Sequence, residues 1–224
     1  MIYKFLADYY DSLNNQDLIN IYVKQITKRK KKGNIIDLGG GTGALSIILS
    51  EKGFNVTLTD IENEMLEIAY HNAMLKEEKI NLFIHDILDP LPEIYDGIIL
   101  STDVINHLKT VQEMQKAFNN IANAMNNKSV FIFDFLKKSF YDKIIPYYEM
   151  FQEGEDTFKW TINHGEEPEI IIHEIKTNED TYQLEERLCT AAEFKKMLKL
   201  AKLKAIKKIE LEERIIFIVK KISH

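Results

Sequence analysis

Apolar positions open the chain at helical spacing. Ile2, Phe5, Leu6, Tyr9 and Tyr10 form one stripe, Asn14-Asn15 breaks it, and Leu18, Ile19, Tyr22, Val23 and Ile26 form a second. The basic run Lys28 to Lys32 closes that second helix, where cations offset the negative end of the peptide dipoles, and Gly33 stands where a C-terminal cap belongs. The period then changes. Asn34 to Leu38 is a short, nearly unbroken apolar run, Gly39-Gly40-Gly41-Thr42-Gly43 is a turn, and Ala44 to Leu49 returns to helical spacing. Further strands are expected over 54–59, 81–84, 95–100 and 129–135, with helices over 62–75 and 109–125. Strands alternating with helices imply βαβ units, an α/β class and a mainly parallel sheet.

Beyond Phe140 the rhythm becomes that of an antiparallel protein. Residues 157–163, 169–176 and 181–188 alternate as strands, with turn signals at His164-Gly165 and Asn178-Glu179-Asp180. Thr190-Ala191-Ala192-Glu193 is a capping box opening one more helix, and 203–209 with 214–220 pair as a closing hairpin. The pattern reads as one domain over 1–224, with a helical lid over 1–32 and an antiparallel β insertion over 150–188.

Composition narrows the partners. A formal charge of -6 argues against broad phosphate-backbone binding, and no apolar run approaches the roughly 18 to 20 residues that span a bilayer. A lone cysteine, Cys189, excludes an intrachain disulfide and suits a reducing, cytoplasmic setting. The histidines His164 and His173 lack metal-ligand spacing, so no metal is expected.

The glycine turn carries the chemistry. Glycines there let a ligand approach the main chain closely, and the following helix aims its N–H groups at whatever sits above. Gly39-x-Gly41-x-x-Ala44 fits a dinucleotide fingerprint, and Asp60 ends the second strand, where a carboxylate accepts from ribose hydroxyls of NAD and of an adenosyl nucleoside alike. Asp37, just before the first glycine, separates the two: it opposes a pyrophosphate and attracts a ligand bearing an ammonium and a sulfonium. Asp86, after the third strand, is placed to accept from an adenine amine.

With those residues in place, the chain resembles the class I S-adenosylmethionine-dependent methyltransferases, small-molecule type. The matching segments are IIDLGGGTGALSIILSEKGFNVTLTDIENEMLEIA, HDILDPLP, YDGIILSTDVINHL and VFIFDFL. The resemblance implies a seven-stranded, mainly parallel, doubly wound sheet whose last strand is antiparallel, interrupted by the β-meander. It implies S-adenosyl-L-methionine as cofactor, with Gly39, Gly41 and Gly43 on its methionine moiety, Asp60 on the ribose and Ile61 on the adenine. Asp86 and Ile87 would flank the adenine amine, Ser101 and Asp103 would lie beneath the sulfonium, and Tyr10 in LADYYDSL would reach the cofactor from the lid.

Methyl transfer from a sulfonium chiefly requires alignment, with a base where the nucleophile carries a proton. His107 is the candidate base, and a capping or packing histidine is the alternative reading. Asn106, Trp160, Tyr182 and Arg187 are candidate acceptor contacts, with a helix cap the plainer reading of Asn106. The Asp/Asn-Pro-Pro-aromatic signature of nucleic-acid and glutamine methylation is replaced by Ser101-Thr102-Asp103-Val104, which points to a small-molecule acceptor and away from nucleic acid. The insertion is expected over the acceptor site or as a homodimer face. Two rivals stay open: an NAD-dependent oxidoreductase, and a non-catalytic nucleoside-binding or dimerisation module.

Overall fold

The computed structural model describes residues 16–153, 156–178 and 180–222. The apolar stripe over residues 2–10, Tyr10 included, lies outside them.

A first helix, α1 (Gln16–Arg29), buries the stripe expected of it. β1 (Asn34–Leu38), α2 (Ala44–Glu51), β2 (Asn55–Asp60), α3 (Asn63–Leu75), β3 (Asn81–Ile84) and β4 (Tyr95–Leu100) follow. A 3-10 turn (Val104–His107) leads to α4 (Val111–Asn123) and β5 (Met125–Leu136). The chain then forms α5 (Lys138–Ile144) and β6 (Tyr147–Glu153), β7 (Asp156–His164), β8 (Ile170–Lys176) and β9 (Thr181–Arg187). It closes through α6 (Ala191–Leu200), β10 (Leu203–Glu210) and β11 (Arg214–Lys221).

Seven strands form one sheet in the order β10-β11-β5-β4-β1-β2-β3. β1 pairs in parallel with both β2 and β4, while β11 runs antiparallel to both of its neighbours. The order therefore reverses between β1 and β4, and a crevice opens beyond the carboxyl ends of those two strands. Residue alternation along β5 feeds two cores. Val130 and Ile132 pack with α1 and α2, and Phe131, Phe133 and Phe135 pack with α4 and α6.

Three local findings differ from the sequence pattern. Gly33 lies beyond the end of α1 and has φ 140°; a Cβ there would come within 2.4 Å of the Asp96 carboxylate, so close approach and not helix capping explains the glycine. The Asp96 side chain accepts from the Asn34 N–H at 3.1 Å and pairs with Lys30 at 3.3 Å, so one cation of the basic run ties α1 to the sheet. The insertion has four strands, ordered β6-β7-β8-β9, because Tyr147 to Glu153 pairs antiparallel with β7. Aromatic and apolar residues on both faces of β6, with Tyr148 and Met150 exposed, hide its alternation.

Capping boxes start α4 at Thr110 with Glu113 and α6 at Thr190 with Glu193. The insertion packs through Ile162, Ile171 and Trp160 against Leu136 and Tyr141. Asn106 joins it to the main sheet, donating to the Arg187 carbonyl at 2.7 Å and accepting from the Leu136 N–H at 3.1 Å.

Phe133 sits at the centre of an aromatic cluster, its ring 5.3 Å from Phe118, 5.0 Å from Phe131 and 5.7 Å from Phe194. Phe133→Ala is expected to cost about 3 to 5 kcal/mol in urea unfolding. A loss below about 1 kcal/mol would show that these rings do not hold α4 and α6 on the sheet.

Candidate active site

β1 ends at Leu38, and the next residues turn with φ 66° at Gly39 and 54° at Gly41. A Cβ on Gly39 would come within 2.8 Å of Val104, while beside Gly41 a Cβ would meet nothing within 4 Å. The main chain is therefore tight on one side of the turn and open on the other. From the tip of β2, Asp60 accepts from the Gly41 N–H and the Glu62 N–H, both at 3.0 Å, fixing a carboxylate against the open face of the turn. Burial raises the Asp60 carboxyl above its ordinary value, and these backbone donors hold the rise down.

Across the crevice, the chain leaves β4 through Ser101, Thr102 and Asp103. Thr102 and Asp103 have φ 56° and 52°, a left-handed conformation that side chains with a Cβ rarely adopt. Asp134 on β5 stabilises it: its fully buried carboxylate accepts from the Thr102 N–H at 2.8 Å and the Asp103 N–H at 3.2 Å. Arg214 on β11 pairs with both Asp134 and Asp103 at 2.7 Å. Burial pushes the Asp103 carboxyl upward, and the adjacent guanidinium outweighs it and holds the group below its ordinary value.

Between these two walls lies a cavity of about 350 Å³. Of the residues expected in the site, Gly39, Gly41, Asp60, Ile61, Asp86, Ile87, Ser101 and His107 line it. Ile61 is 61% exposed at the rim, a platform open to a flat ring. Asp86 anchors its own loop by accepting from the Leu88 N–H at 2.8 Å. Gly43 stands one step back, capping α2 with φ 86°.

Other expected contacts lie away from the lining. Asn106 is fully buried with its amide engaged by β5 and β9, a linking role that accounts for its position. Arg187 is turned to the Lys109 carbonyl and the Glu167 carboxylate, Tyr182 donates to Asp180, and Trp160 donates to His173 at 3.3 Å. Asp103 backs the wall through Arg214.

Pattern reading also overlooked residues that the fold brings in. Leu18, Ile19 and Tyr22 of α1 line the cavity as well as packing on the sheet, and His85 and Met65 join them. Glu186 arrives on β9 and, with Asp103 and His107, places three ligand-type atoms within 4.8 Å of one another. Its alternating position in a strand was the only sequence signal for it.

Asp37 lies beneath the turn, 1% exposed. One oxygen accepts from the Ser46 hydroxyl at 2.8 Å, and the other, Oδ1, is buried with no hydrogen-bond partner. Burial pushes this carboxyl up to about 7, with the Ser46 hydroxyl opposing the rise and Asp60 adding to it.

This arrangement, a glycine turn faced by carboxylates at the reversal point of a doubly wound sheet, defines a nucleoside-binding α/β enzyme fold. The model of the methyltransferase domain family matches residues 29–202. The chain belongs to that family, among the class I S-adenosylmethionine-dependent methyltransferases. YqeM of Bacillus subtilis (strain 168), itself provisionally assigned as a methyltransferase, is 27% identical over 212 residues, covering 89% of this chain and 85% of YqeM. The crystal structure of an S-adenosylmethionine-dependent methyltransferase from Clostridium acetobutylicum ATCC 824 superposes with a TM-score of 0.86 at 21% identity, covering 100% of both chains. The structure of S-adenosylmethionine-bound CalS10, an amino pentose methyltransferase from Micromonospora echinaspora, matches with a TM-score of 0.75 at 16% identity, over 99% of this chain and 97% of CalS10. These two likenesses are of fold.

Asp37 generates a pH prediction. The native state keeps its proton up to about pH 7, whereas an ordinary aspartate loses it near 3.8. Ligand-free protein therefore loses this contribution as pH rises from about 4 to about 7, roughly 4 kcal/mol across the window. Asp37→Asn should remove that slope, so that urea unfolding shows the wild type losing ground to the variant as pH rises from 5 to 8. A difference independent of pH would contradict the burial assigned to Asp37.

Proposed function

We propose that this cytoplasmic methyltransferase moves a methyl group to a nitrogen or oxygen atom of a small-molecule acceptor. The observation that carries the donor assignment is the pairing of an open glycine main chain with buried carboxylates, one of whose oxygens has no partner. A pyrophosphate would bring negative charge toward Asp37, whereas a cationic amino-acid portion offers it the missing donor. The residues present fit S-adenosylmethionine on that ground. When bound, it supplies a methyl group already activated on a positively charged sulfur.

Each residue then has a task. The Gly39 and Gly41 main chain admits the amino-acid portion, while the Asp60 oxygens keep lone pairs for ribose hydroxyls beyond those used by Gly41 and Glu62. Ile61 and Ile87 sandwich the base, and Asp86 takes its amine. Ser101 and the Asp134-clamped turn form the wall beneath the reacting centre. His107 accepts the acceptor's proton. Tyr10 would close the cavity from the lid.

The electrostatics favour a nitrogen acceptor. Asp103 and Asp134, both largely buried, share one guanidinium, Arg214, and the buried Glu186 lies close to Asp103 and His107. Such an excess of negative charge attracts an ammonium and repels a carboxylate or phenolate. The amino-pentose substrate class of CalS10 is in keeping with this.

Titration calorimetry with S-adenosylhomocysteine, NAD and NADP tests the donor site. The homocysteine ligand is expected to bind and the dinucleotides to fail. Asp60→Ala should weaken binding by about 2 to 3 kcal/mol, roughly 30- to 150-fold. Tight binding of NAD would establish the oxidoreductase instead. In a screen of metabolites with labelled donor, amines should be methylated in preference to carboxylic acids and phenols; the reverse order would remove the nitrogen assignment.

A further inference from the structure

A row of side chains runs from the inserted sheet to the wall of the cavity. His107 Nδ1 lies 3.7 Å from Glu186 Oε1, and the other oxygen of Glu186 lies 2.9 Å from His173 Nε2. Behind His173, the Trp160 indole N–H donates to His173 Nδ1 at 3.3 Å, with the two rings stacked at 5.8 Å. The Glu186 side chain is 3% exposed; burial, with the nearby Asp103 carboxylate, raises its carboxyl above the ordinary value, and His173 and His107 oppose the rise.

The indole fixes the proton inventory of this row. An indole N–H only donates, so His173 Nδ1 accepts and the ring's single proton sits on Nε2, facing Glu186. A charged His173 would set an N–H against the indole N–H. His173 thus sets a neutral ring nitrogen 2.9 Å from Glu186 without a compensating charge. Asp103 adds repulsion nearby, with one oxygen already committed to Arg214 at 2.7 Å. That pairing takes one Asp103 oxygen away from the cluster it forms with His107 and Glu186. The group left to balance Glu186 is His107.

We propose that Glu186 is a positioning residue for methyl transfer, locked by His173 and Trp160 so that its carboxylate orients His107 and stabilises the imidazolium formed on proton uptake. The assignment rests on the methyltransferase reading of the cavity. The N–H or O–H bond of the acceptor breaks toward His107, and the electron pair on that nitrogen or oxygen forms the bond to the methyl carbon. The carbon–sulfur pair stays on sulfur, and the proton leaves His107 for solvent after product release. A buried carboxylate behind an imidazole sets the tautomer and steadies the charge without itself taking the proton.

The full chain, labelled with 15N-histidine and saturated with S-adenosylhomocysteine, tests this by NMR. Wild-type His107 is expected to carry its neutral-state proton on Nδ1, toward Glu186. In Glu186→Gln, the preference of His107 for the Nδ1 proton should weaken, while affinity for S-adenosylhomocysteine stays within twofold. With a methylated acceptor in hand, kcat of that variant should drop about 100-fold at unchanged KM for the donor. An Nε2-protonated His107 in the wild type overturns the proposal even if the variant does not fold. So does a tautomer preference that ignores the substitution. A wild-type protein that binds no S-adenosylhomocysteine would instead sink the reading on which the proposal rests.

Discussion

Asp134 is fully buried near the end of β5, and its two oxygens collect the Tyr22 hydroxyl, the Thr102 and Asp103 amides and the Arg214 guanidinium. A carboxylate without water is tolerable only where donors surround it, and removing one partner of such a group typically costs about 3 to 5 kcal/mol. The partners here come from α1, from the turn after β4 and from β11, elements far apart in the chain. One buried group therefore holds α1, a strained turn and the antiparallel strand in fixed relation. The wall of the cavity opposite the glycine turn depends on it.

Because that wall is fixed, the glycine turn faces something rigid. Gly39 can approach Val104 as closely as it does only because the turn after β4 does not move, and Gly41 presents its open main chain across a gap of set width. Asp60 then lines the cavity, and Asp37 lies buried beneath the turn. Burial keeps both carboxyls above their ordinary values, so a cationic ligand relieves an electrostatic cost that the ligand-free fold carries. The inserted sheet adds a further carboxylate, Glu186, by passing β9 beside the 3-10 turn that bears His107.

Legibility in the sequence follows the range of the interactions. The glycine turn, its flanking strand and helix, Asp60 and Asp86 depend on local order, and pattern alone located them beside one another. Asp134 puts a charge inside an apolar strand and so calls for a partner, but Arg214 lies 80 positions away and nothing local points to it. Tyr22 looked like core, which it is, and its hydroxyl's second task is visible only once α1 docks on β5. Glu186 sits in an ordinary alternating strand, so its burial beside His107 depends on how the insertion folds back. Gly33 misled for a related reason: a glycine after a basic run suggests a helix cap, whereas the deciding neighbour is Asp96, brought in by β4. β6 was hidden because both of its faces carry apolar residues.

The most direct test is a crystal structure of the protein with S-adenosylhomocysteine. The account predicts the amino-acid portion along Gly39 to Gly41, the ribose hydroxyls on Asp60, the base against Ile61, and the Asp134 cluster unchanged. A ligand bound elsewhere, or a turn after β4 rearranged with Asp134 released from its donors, would contradict it.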